Sequence, residues 1–363
     1  MSNNTRLKFA PVDSTGFFTA LKKNVDQYFQ ERNISKKANA AMIFKTIFFF
    51  GGVWVLYGLI LSQAFSLTAM LLMAMALGFF MAGSAFNISH DSMHGAYSSK
   101  DWVNNLLSYS FNILGANKSV WLISHNIVHH TYTNIEDHDE DLEVAPGLVR
   151  LTQGDKVSSI QKYQHYYAFL LYGFASLSWV FRKDYVKIFQ DKIGQHETKH
   201  YTTRDYVELF AFKALHYAIF IIIPFIVLDI TWWQFLLGFL ALHFTMGLTL
   251  GLVFQLAHVI EETHFPEPND QGNIDDAWAV HQMKTTANFA RNSFLATFIC
   301  GGLNYQVEHH LFPKVCHIHY PAISHIVKAT AEQYGVPYIE SETFVGALHS
   351  HYKVLKKFSL EAA

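Results

Sequence analysis

Residues 43–94 read IFKTIFFFGGVWVLYGLILSQAFSLTAMLLMAMALGFFMAGSAFNISHDSMH, two long apolar runs followed at once by two histidines. The apolar core of a bilayer is about 30 Å thick, so roughly 20 helical residues are needed to cross it. The runs at 43–61 and 67–86 reach that length, and only SQAFS separates them. The stretch therefore predicts a hairpin of two transmembrane helices that ends close to His90 and His94.

A second hairpin is predicted from the apolar runs at 207–228 and 233–256, which are also joined by a short link. Two further runs, near 103–123 and 166–181, are interrupted by polar residues or too short to span, and are expected to form interfacial or buried helices. The sequence thus predicts an all-α integral membrane protein. Its four transmembrane helices form two hairpins, and a helical cap carries the histidine-rich segments.

The distribution of basic residues orients the predicted hairpins. No Lys or Arg occurs between Lys45 and Lys100, or between Lys213 and Lys284. Basic residues precede the first hairpin and lie between the two hairpins: Lys22, Lys23, Arg32, Lys36, Lys37, Arg182, Lys183, Lys187 and Lys192. The positive-inside rule then predicts that both termini, the middle segment and the cap are cytoplasmic.

Composition limits the possible functions. The chain has 363 residues, of which 51% are hydrophobic and 15% charged, and its mean hydropathy of +0.13 fits a few spans with a large polar part. A net charge of −2 gives no electrostatic reason to expect nucleic-acid binding. Cys300 and Cys316 are too few for a disulfide framework or a thiolate cluster. Since no repeat or linker divides the chain, residues 1–363 are expected to form one domain with a core at about 37–338.

Eight of the 21 histidines occur in three motifs and at the end of the last predicted span. They are His90 and His94 in HDSMH, His125, His129 and His130 in HNIVHH, His309 and His310 in QVEHH, and His258. Residues four apart share one face of a helix, so each motif can direct several imidazoles at one point. Imidazole binds Fe, Zn, Cu or Ni, and eight exceed the three or four ligands of one zinc ion. The pattern predicts a site for two metal ions at one membrane face.

The motifs HDSMHG, HNIVHHTYTN and QVEHHLFP resemble the three histidine boxes of membrane fatty-acid desaturases. The stretches NIEDHDEDLE and WAVHQMKTTANF are also similar to that family, and the resemblance runs from about residue 37 to residue 338. Gln306 at the head of the third box resembles the front-end desaturases and their bacterial relatives. The resemblance implies that the eight histidines hold a non-haem di-iron centre, which uses O2 to remove two hydrogens from an acyl chain carried on CoA or on a lipid.

The resemblance also implies an electron donor. Many eukaryotic front-end enzymes carry a fused cytochrome b5 domain with an HPGG motif, which does not occur in this sequence. Electrons are therefore expected from a separate ferredoxin or cytochrome b5 with its reductase. The basic stretch FRKDYVKIFQDK, residues 181–192, is expected to face anionic lipid headgroups, with docking of an acidic donor as the alternative.

Groups beside the boxes are expected to orient the imidazoles through their second ring nitrogens. The candidates are Asp91, Gln306, Asp137, Asp139, Asp141, Glu261 and Glu308. Four further histidines could act in the same way or as additional ligands, but a hydrogen-bonded structural role is preferred for them: His138, His264, His281 and His319. His216 and His243 lie within predicted spans and are expected to hydrogen-bond neighbouring helices, whereas His349 and His351 are expected at the surface.

Two other functions remain open at this stage. A fatty acyl or lipid hydroxylase shares the metal architecture, and the box residues alone do not separate hydrogen removal from oxygen insertion. A non-enzymatic membrane metal or haem protein is the alternative of another class. A transporter would place its ligands inside the spans near the bilayer midplane, which fits these motifs less well.

Overall fold

The structure is a computed structural model that describes residues 7–10, 16–142, 145–152, 157–198 and 201–361; Glu143, which ends NIEDHDEDLE, lies outside them. The helices are α1 (Phe17–Glu31), α2 (Ala40–Leu61), α3 (Leu67–Met93), α4 (Asp101–Ile113), α5 (118–132), α6 (Gln164–Tyr172), α7 (175–188), α8 (Thr203–Val227), α9 (Trp232–His258), α10 (Trp278–Thr285), α11 (Phe294–Ile299), α12 (Gln306–Leu311), α13 (Tyr320–Tyr334) and α14 (Phe344–Glu361). Short 3₁₀ turns occur at Ser159–Tyr163 and His317–His319.

Strands contribute little to the fold. The described strands are β1 (Lys8–Phe9), β2 (Lys192–Ile193), β3 (His196–Glu197), β4 (Asn273–Ile274), β5 (Asn288–Phe289) and β6 (Glu340–Ser341). They form three two-stranded pairs, parallel β1–β4, antiparallel β2–β3 and parallel β5–β6. The prediction of an all-α architecture is confirmed, because these pairs only fasten connecting segments to one another.

Four helices, α2, α3, α8 and α9, are long and apolar enough to cross a membrane, as predicted. Polar caps set where they begin: Asn39 accepts from the Met42 amide at the start of α2, and Ser66 accepts from the Ala69 amide at the start of α3. Large apolar side chains on their outer faces are exposed, including Ile47, Leu72 and Ile226. Such faces are suited to contact with lipid tails.

The centre of the spans is the contact between α3 and α9. At Gly78 the α3 backbone approaches the Leu242 carbonyl of α9 so closely that a Cβ atom would overlap it. Small residues at such crossings let two membrane helices pack tightly. The residues around the crossing, Leu77, Met81, Met246 and Leu250, belong to the main buried apolar core. This crossing fixes the ends of α3 and α9 relative to each other.

The cap, formed by α1, α10, α12 and α13, has an apolar core of its own. Leu21 and Val25 of α1 pack in one buried cluster with Ile323 and Val327 of α13. The cap is joined to the spans through the backbone, since the Ala287 amide donates to a carbonyl near the end of α9. This arrangement holds α12 over the ends of the spans.

Two histidine-bearing helices depart from regular α geometry. α3 contains a π-helical segment at Ala85–His90, and α5 contains another at Leu122–His129. The predicted α-helical spacing is found between His90 and His94, since the His94 amide donates to the His90 carbonyl at 3.1 Å, but it was wrong for His125 and His129, which lie in the π-helical segment of α5. A π-helix has a wider turn and is frequent at functional sites, where it changes the direction of side chains. The helix ends also differ from prediction, since His90 lies within the last turn of α3 and His258 is the last residue of α9.

Candidate metal centre

Two groups of imidazoles meet where α3, α5, α9 and α12 converge. Cluster 1 contains His90, His94, His125 and His309, and cluster 2 contains His129, His258 and His310. Within each cluster, one ring nitrogen from every residue lies within 4.8 Å of the others. His130 forms a third such group with His309 and His310, so it lies between the two clusters. All eight predicted ligand residues are buried and brought together.

Many of these ring nitrogens have no hydrogen-bond partner among the described residues. The unpartnered atoms are His90 Nδ1 and Nε2, His94 Nε2, His125 Nε2, His129 Nε2, His130 Nδ1 and Nε2, and His309 Nε2. Each buried, unsatisfied polar atom costs about 1–3 kcal/mol, so this concentration is hard to explain without a ligand. A donor set made of imidazoles suits a transition metal such as iron. The residues present therefore fit two metal ions.

Two carboxylates orient one imidazole in each cluster. An Asp139 oxygen lies 2.8 Å from Nδ1 of His129, and an Asp141 oxygen lies 3.1 Å from Nδ1 of His125. The backbone amide of Asn134 donates to the same Asp139 oxygen at 3.0 Å. A carboxylate that accepts from one ring nitrogen fixes the tautomer and turns the other nitrogen toward a metal. The geometry fits the orienting role predicted for both aspartates.

Amide and hydroxyl groups hold the two rings of the third box, His309 and His310. The Gln282 Oε1 atom lies 2.7 Å from Nδ1 of His310 and accepts at 2.9 Å from the Thr133 hydroxyl. The Tyr320 hydroxyl lies 3.3 Å from Nδ1 of His309. Sequence reasoning chose His281 and missed its neighbour Gln282. The signal in the sequence was the i, i+4 spacing of Trp278 and Gln282, which places them on one face of a helix. In the structure both side chains donate to the His130 carbonyl.

Gln306 occupies the head of the third box, as the sequence indicated. Its Nε2 atom lies 2.9 Å from Nε2 of His258 and 3.2 Å from Nε2 of His310. The amide therefore contacts two members of cluster 2 at their Nε2 atoms. Its own Oε1 atom is buried without a partner among the described residues.

Burial keeps most of the imidazoles neutral. It lowers the pKa of His125 to about 3, against the opposing effect of Asp141, and lowers the pKa of His94 and His309 well below the usual value. Burial alone would lower the pKa of His129, but the Asp139 carboxylate raises it above its usual value. A neutral imidazole keeps the lone pair that a metal needs.

A cavity of about 510 Å³ opens beside the clusters. His90 and His125 lie in its wall, and most of the remaining wall is apolar, with Phe86, Phe111, Trp121, Trp179, Leu250 and Phe254. Trp121 stacks on His125 with ring centroids 4.2 Å apart. The volume falls in the range of small-molecule sites, and the lining suits a hydrocarbon chain.

A family model described as fatty acid desaturase matches residues 66–342. The chain belongs to the fatty acid desaturase family. It is 38% identical to the sn-1 linoleoyl-lipid 6-desaturase of Arthrospira platensis, over 96% of this chain and 94% of that protein. It is 34% identical to the enzyme of the same description from Synechocystis sp., over 97% of both chains. It is 33% identical to the acyl-lipid (8-3)-desaturase of Physcomitrium patens, over 98% of this chain and 74% of that protein.

One predicted orienting residue of this desaturase contacts a histidine that the sequence analysis did not single out. The Asp91 carboxylate lies 2.9 Å from Nδ1 of His317, but 3.9 Å from the nearer nitrogen of His90. The Lys45 ammonium lies 2.8 Å from the other His317 nitrogen. Asp91 thus primarily fastens α3 to the segment after the third box. His317 was missed because no motif spacing connects it to Asp91.

Several other candidates lie away from the clusters. Asp137, Glu261 and His264 are exposed, Glu261 pairing with Lys353 at 3.0 Å. The His138 and His319 rings contact the backbone carbonyls of Glu136 and Lys37, respectively. The His281 ring packs against Phe9 at 5.0 Å, and the clusters found among the described residues do not include it.

The remaining histidines largely follow expectation. His216 contacts the Ile113 carbonyl and His243 the Ser176 hydroxyl, both on neighbouring helices. His349 is exposed, as predicted. The prediction of a surface position for His351 was wrong: its ring is buried, 2.8 Å from the Tyr172 hydroxyl and 2.7 Å from the Val259 carbonyl. Because α14 packs on α6, that ring faces inward.

Glu308 is buried between two neutral partners instead of orienting a box imidazole. Asn288 donates to one carboxylate oxygen at 2.8 Å, and the Tyr338 hydroxyl donates to the other at 2.9 Å. Burial raises the pKa of Glu308 from 4.5 to about 7, against the opposing effect of these hydrogen bonds. The folded protein thus holds this proton at a pH at which the unfolded chain has released it.

The Glu308 proton predicts a pH-dependent stability. Because the pKa of Glu308 is higher in the folded than in the unfolded protein, the contribution of this proton to the free energy of unfolding is complete below pH 4.5. That contribution is lost as the pH rises through 7. Glutamine cannot lose this proton. We therefore expect the Tm of Glu308→Gln to rise by a few °C relative to the Tm of the wild type as the pH increases from 5 to 8. Tm of both proteins would be measured in detergent, without added iron. A difference in Tm that stays constant with pH would contradict the assignment.

Proposed function

We propose that this chain is an O2-dependent acyl-lipid desaturase that introduces a C=C bond into an acyl chain. The observation that carries the proposal is the opening of a largely apolar cavity onto His90 and His125 of cluster 1, next to the buried imidazoles of cluster 2. An unactivated C–H bond cannot be broken by acid–base side chains alone, so the oxidising power must come from a cofactor. The geometry supplies a place for that cofactor next to a place for the chain.

In this proposal the histidines hold two iron ions. His90, His94, His125 and His309 hold one ion; His129, His258 and His310 hold the other, and His130 lies between them. When bound, such a pair supplies O2 activation and the oxidation of the acyl chain. Asp139, Asp141, Gln282 and Tyr320 fix the imidazoles, and Gln306 contributes a polar group beside the second ion. His281 and Asp91 are assigned structural roles.

The protein contributes binding and exclusion of water. The apolar wall holds the hydrocarbon past His90 and His125, and the ring of Trp121 stacks on His125 and keeps it in place. The depth of burial of the clusters keeps bulk water from the reacting carbons. Each role belongs to a group that contacts either the cavity or a ligand imidazole.

Substrate, donor and topology complete the proposal. The relatives are described as acyl-lipid or linoleoyl-lipid enzymes, which favours a lipid-linked acyl chain over acyl-CoA. Electrons would come from a separate ferredoxin or cytochrome b5 with its reductase. The charge distribution supports placing both termini and the metal centre on the cytoplasmic side. A single domain over residues 1–363 is proposed because no repeat or linker divides the sequence.

The test is a fatty-acid profile of host cells. Cells expressing the wild type, His129→Ala or an empty vector would be supplied with linoleate, and their lipid fatty acids analysed by gas chromatography–mass spectrometry. We expect a new double bond only with the wild type, because His129 Nε2 belongs to cluster 2. A hydroxy acid in its place would identify the hydroxylase alternative. Equal product from wild type and His129→Ala would contradict the metal assignment.

A further inference from the structure

Charged side chains line one part of the otherwise apolar cavity. Glu140, Asp141 and Asp184 contribute carboxylates, and the α7 residues Arg182, Lys183 and Lys187 contribute three cations. Lys183 lies 3.7 Å from Asp141, and Lys187 lies 2.8 Å from Glu140. Asp184 lies 2.7 Å from Lys213, which does not line the cavity, so the wall contains two ion pairs of its own and one additional cation.

The additional cation is the guanidinium of Arg182. Its side chain is exposed at the cavity, and no hydrogen bond or ion pair joins it to another residue in the described part of the chain. Arg presents a planar fork of donors that matches the oxygens of a phosphate. An unpaired guanidinium at the rim of a cavity is thus available to bind an anion.

The outer surface of the same helix is apolar. Phe181 and Phe189, which directly follows α7, are 51% and 63% exposed, and Leu170 on neighbouring α6 is also exposed. Aromatic and aliphatic side chains beside Arg and Lys are typical of a helix that lies at the level of lipid headgroups. A molecule that reaches Arg182 would therefore come laterally from the membrane.

We propose that Arg182 binds the phosphate of a glycerophospholipid and that Lys183 lies beside the ester end of its acyl chain in the cavity. The inference rests on the proposed desaturase function and specifies its substrate as an anionic or phosphate-bearing lipid. The apolar outer face of α7 favours a membrane lipid over a water-soluble acyl thioester that also carries phosphate.

The position of the charged wall limits which carbons reach the metal centre. Asp141 contacts Lys183 with one carboxylate oxygen and His125 with the other, so one side chain separates the cation from a ligand imidazole. With the ester beside Lys183, the carbons that pass His125 are those near the carboxyl end of the chain.

The binding test uses the purified full-length protein in detergent. Native mass spectrometry would measure the affinities for dilinoleoyl phosphatidylglycerol, for uncharged dilinoleoyl monogalactosyldiacylglycerol and for linoleoyl-CoA. We expect Arg182→Gln to weaken phosphatidylglycerol binding by about tenfold, because a charge-assisted bidentate contact is lost. Binding of the galactolipid should not change. Lys192→Gln is the matched control, since Lys192 is also exposed and basic but does not line the cavity.

The outcomes separate this inference from the proposed function. Unchanged phosphatidylglycerol affinity in Arg182→Gln, or an equal loss for both lipids, would overturn it. Tighter Arg182-dependent binding of linoleoyl-CoA than of phosphatidylglycerol would assign the site to a soluble thioester instead. Failure of the wild type to desaturate would refute the proposed function, whereas the lipid affinities are measured without turnover and still decide whether Arg182 binds phosphate.

Discussion

Replacing His309 with alanine is expected to abolish product formation and to remove iron from both metal positions. His309 is the residue that joins the two groups, because it belongs to cluster 1 and also to the group formed with His130 and His310. Loss of an outer partner of a metal ligand typically costs 10–100-fold in affinity or activity, and loss of a ligand costs more. Activity should therefore fall by more than about 100-fold. The number of iron ions per protein molecule would be measured by inductively coupled plasma mass spectrometry.

A matched control is His281→Ala. His281 is as deeply buried as His309 and lies in the cap, but its ring packs against Phe9 outside the clusters. This variant should retain the iron content of the wild type even if its Tm falls. Full iron loading in His309→Ala, or equal iron loss in the two variants, would show that burial and not coordination explains the histidine clusters.

Replacing Asp139 with alanine is expected to lower iron affinity and activity by roughly 10–100-fold. The carboxylate is buried, lies 2.8 Å from Nδ1 of His129 and also accepts from the Asn134 amide. Without it, the His129 ring loses its fixed tautomer, and the Asn134 amide loses its acceptor. Iron affinity would be measured by competition with a chelator of known strength.

Asp137 provides the control in the same acidic stretch. Its side chain is exposed and lies two positions before Asp139 in the chain. The two residues have the same carboxylate group and charge, so they differ only in position. Asp137→Ala should change iron affinity by less than a factor of two. If Asp137→Ala and Asp139→Ala weaken iron binding equally, the general negative charge of the stretch matters and the contact to His129 does not.

The spans and the ligand histidines could be predicted from the sequence because both depend on local patterns. A helix of about twenty apolar residues is long enough to cross a bilayer. The four helices found in the structure confirm that prediction. Histidines in HxxxH and HH motifs stay close to one another in an α-helix and in a π-helix. The rings therefore remain close even with the π-helical turns at Ala85–His90 and Leu122–His129. The eight box histidines accordingly converge.

The partners of those histidines could not be predicted, because they depend on contacts between distant segments. Gln282 reaches His310, and Asp91 reaches His317, across separations of 28 and 226 residues. Charge and motif proximity made Asp91 a candidate orienting group, but tertiary packing places its carboxylate 2.9 Å from His317 and 3.9 Å from Nδ1 of the box residue His90. His351 shows the same effect, since only the packing of α14 on α6 buries it.

The two clusters are built from neighbours in the chain. Adjacent residues His309 and His310 belong to different clusters, and so do the rings held by Asp139 and Asp141, which lie two residues apart on one turn. Under the proposed assignment, an ion bound by one cluster would hold this turn and α12 in the position that the other cluster needs. Such coupling gives positive cooperativity in metal loading. Half-loaded protein would then be a minor species, and the population would consist mainly of empty and fully loaded molecules.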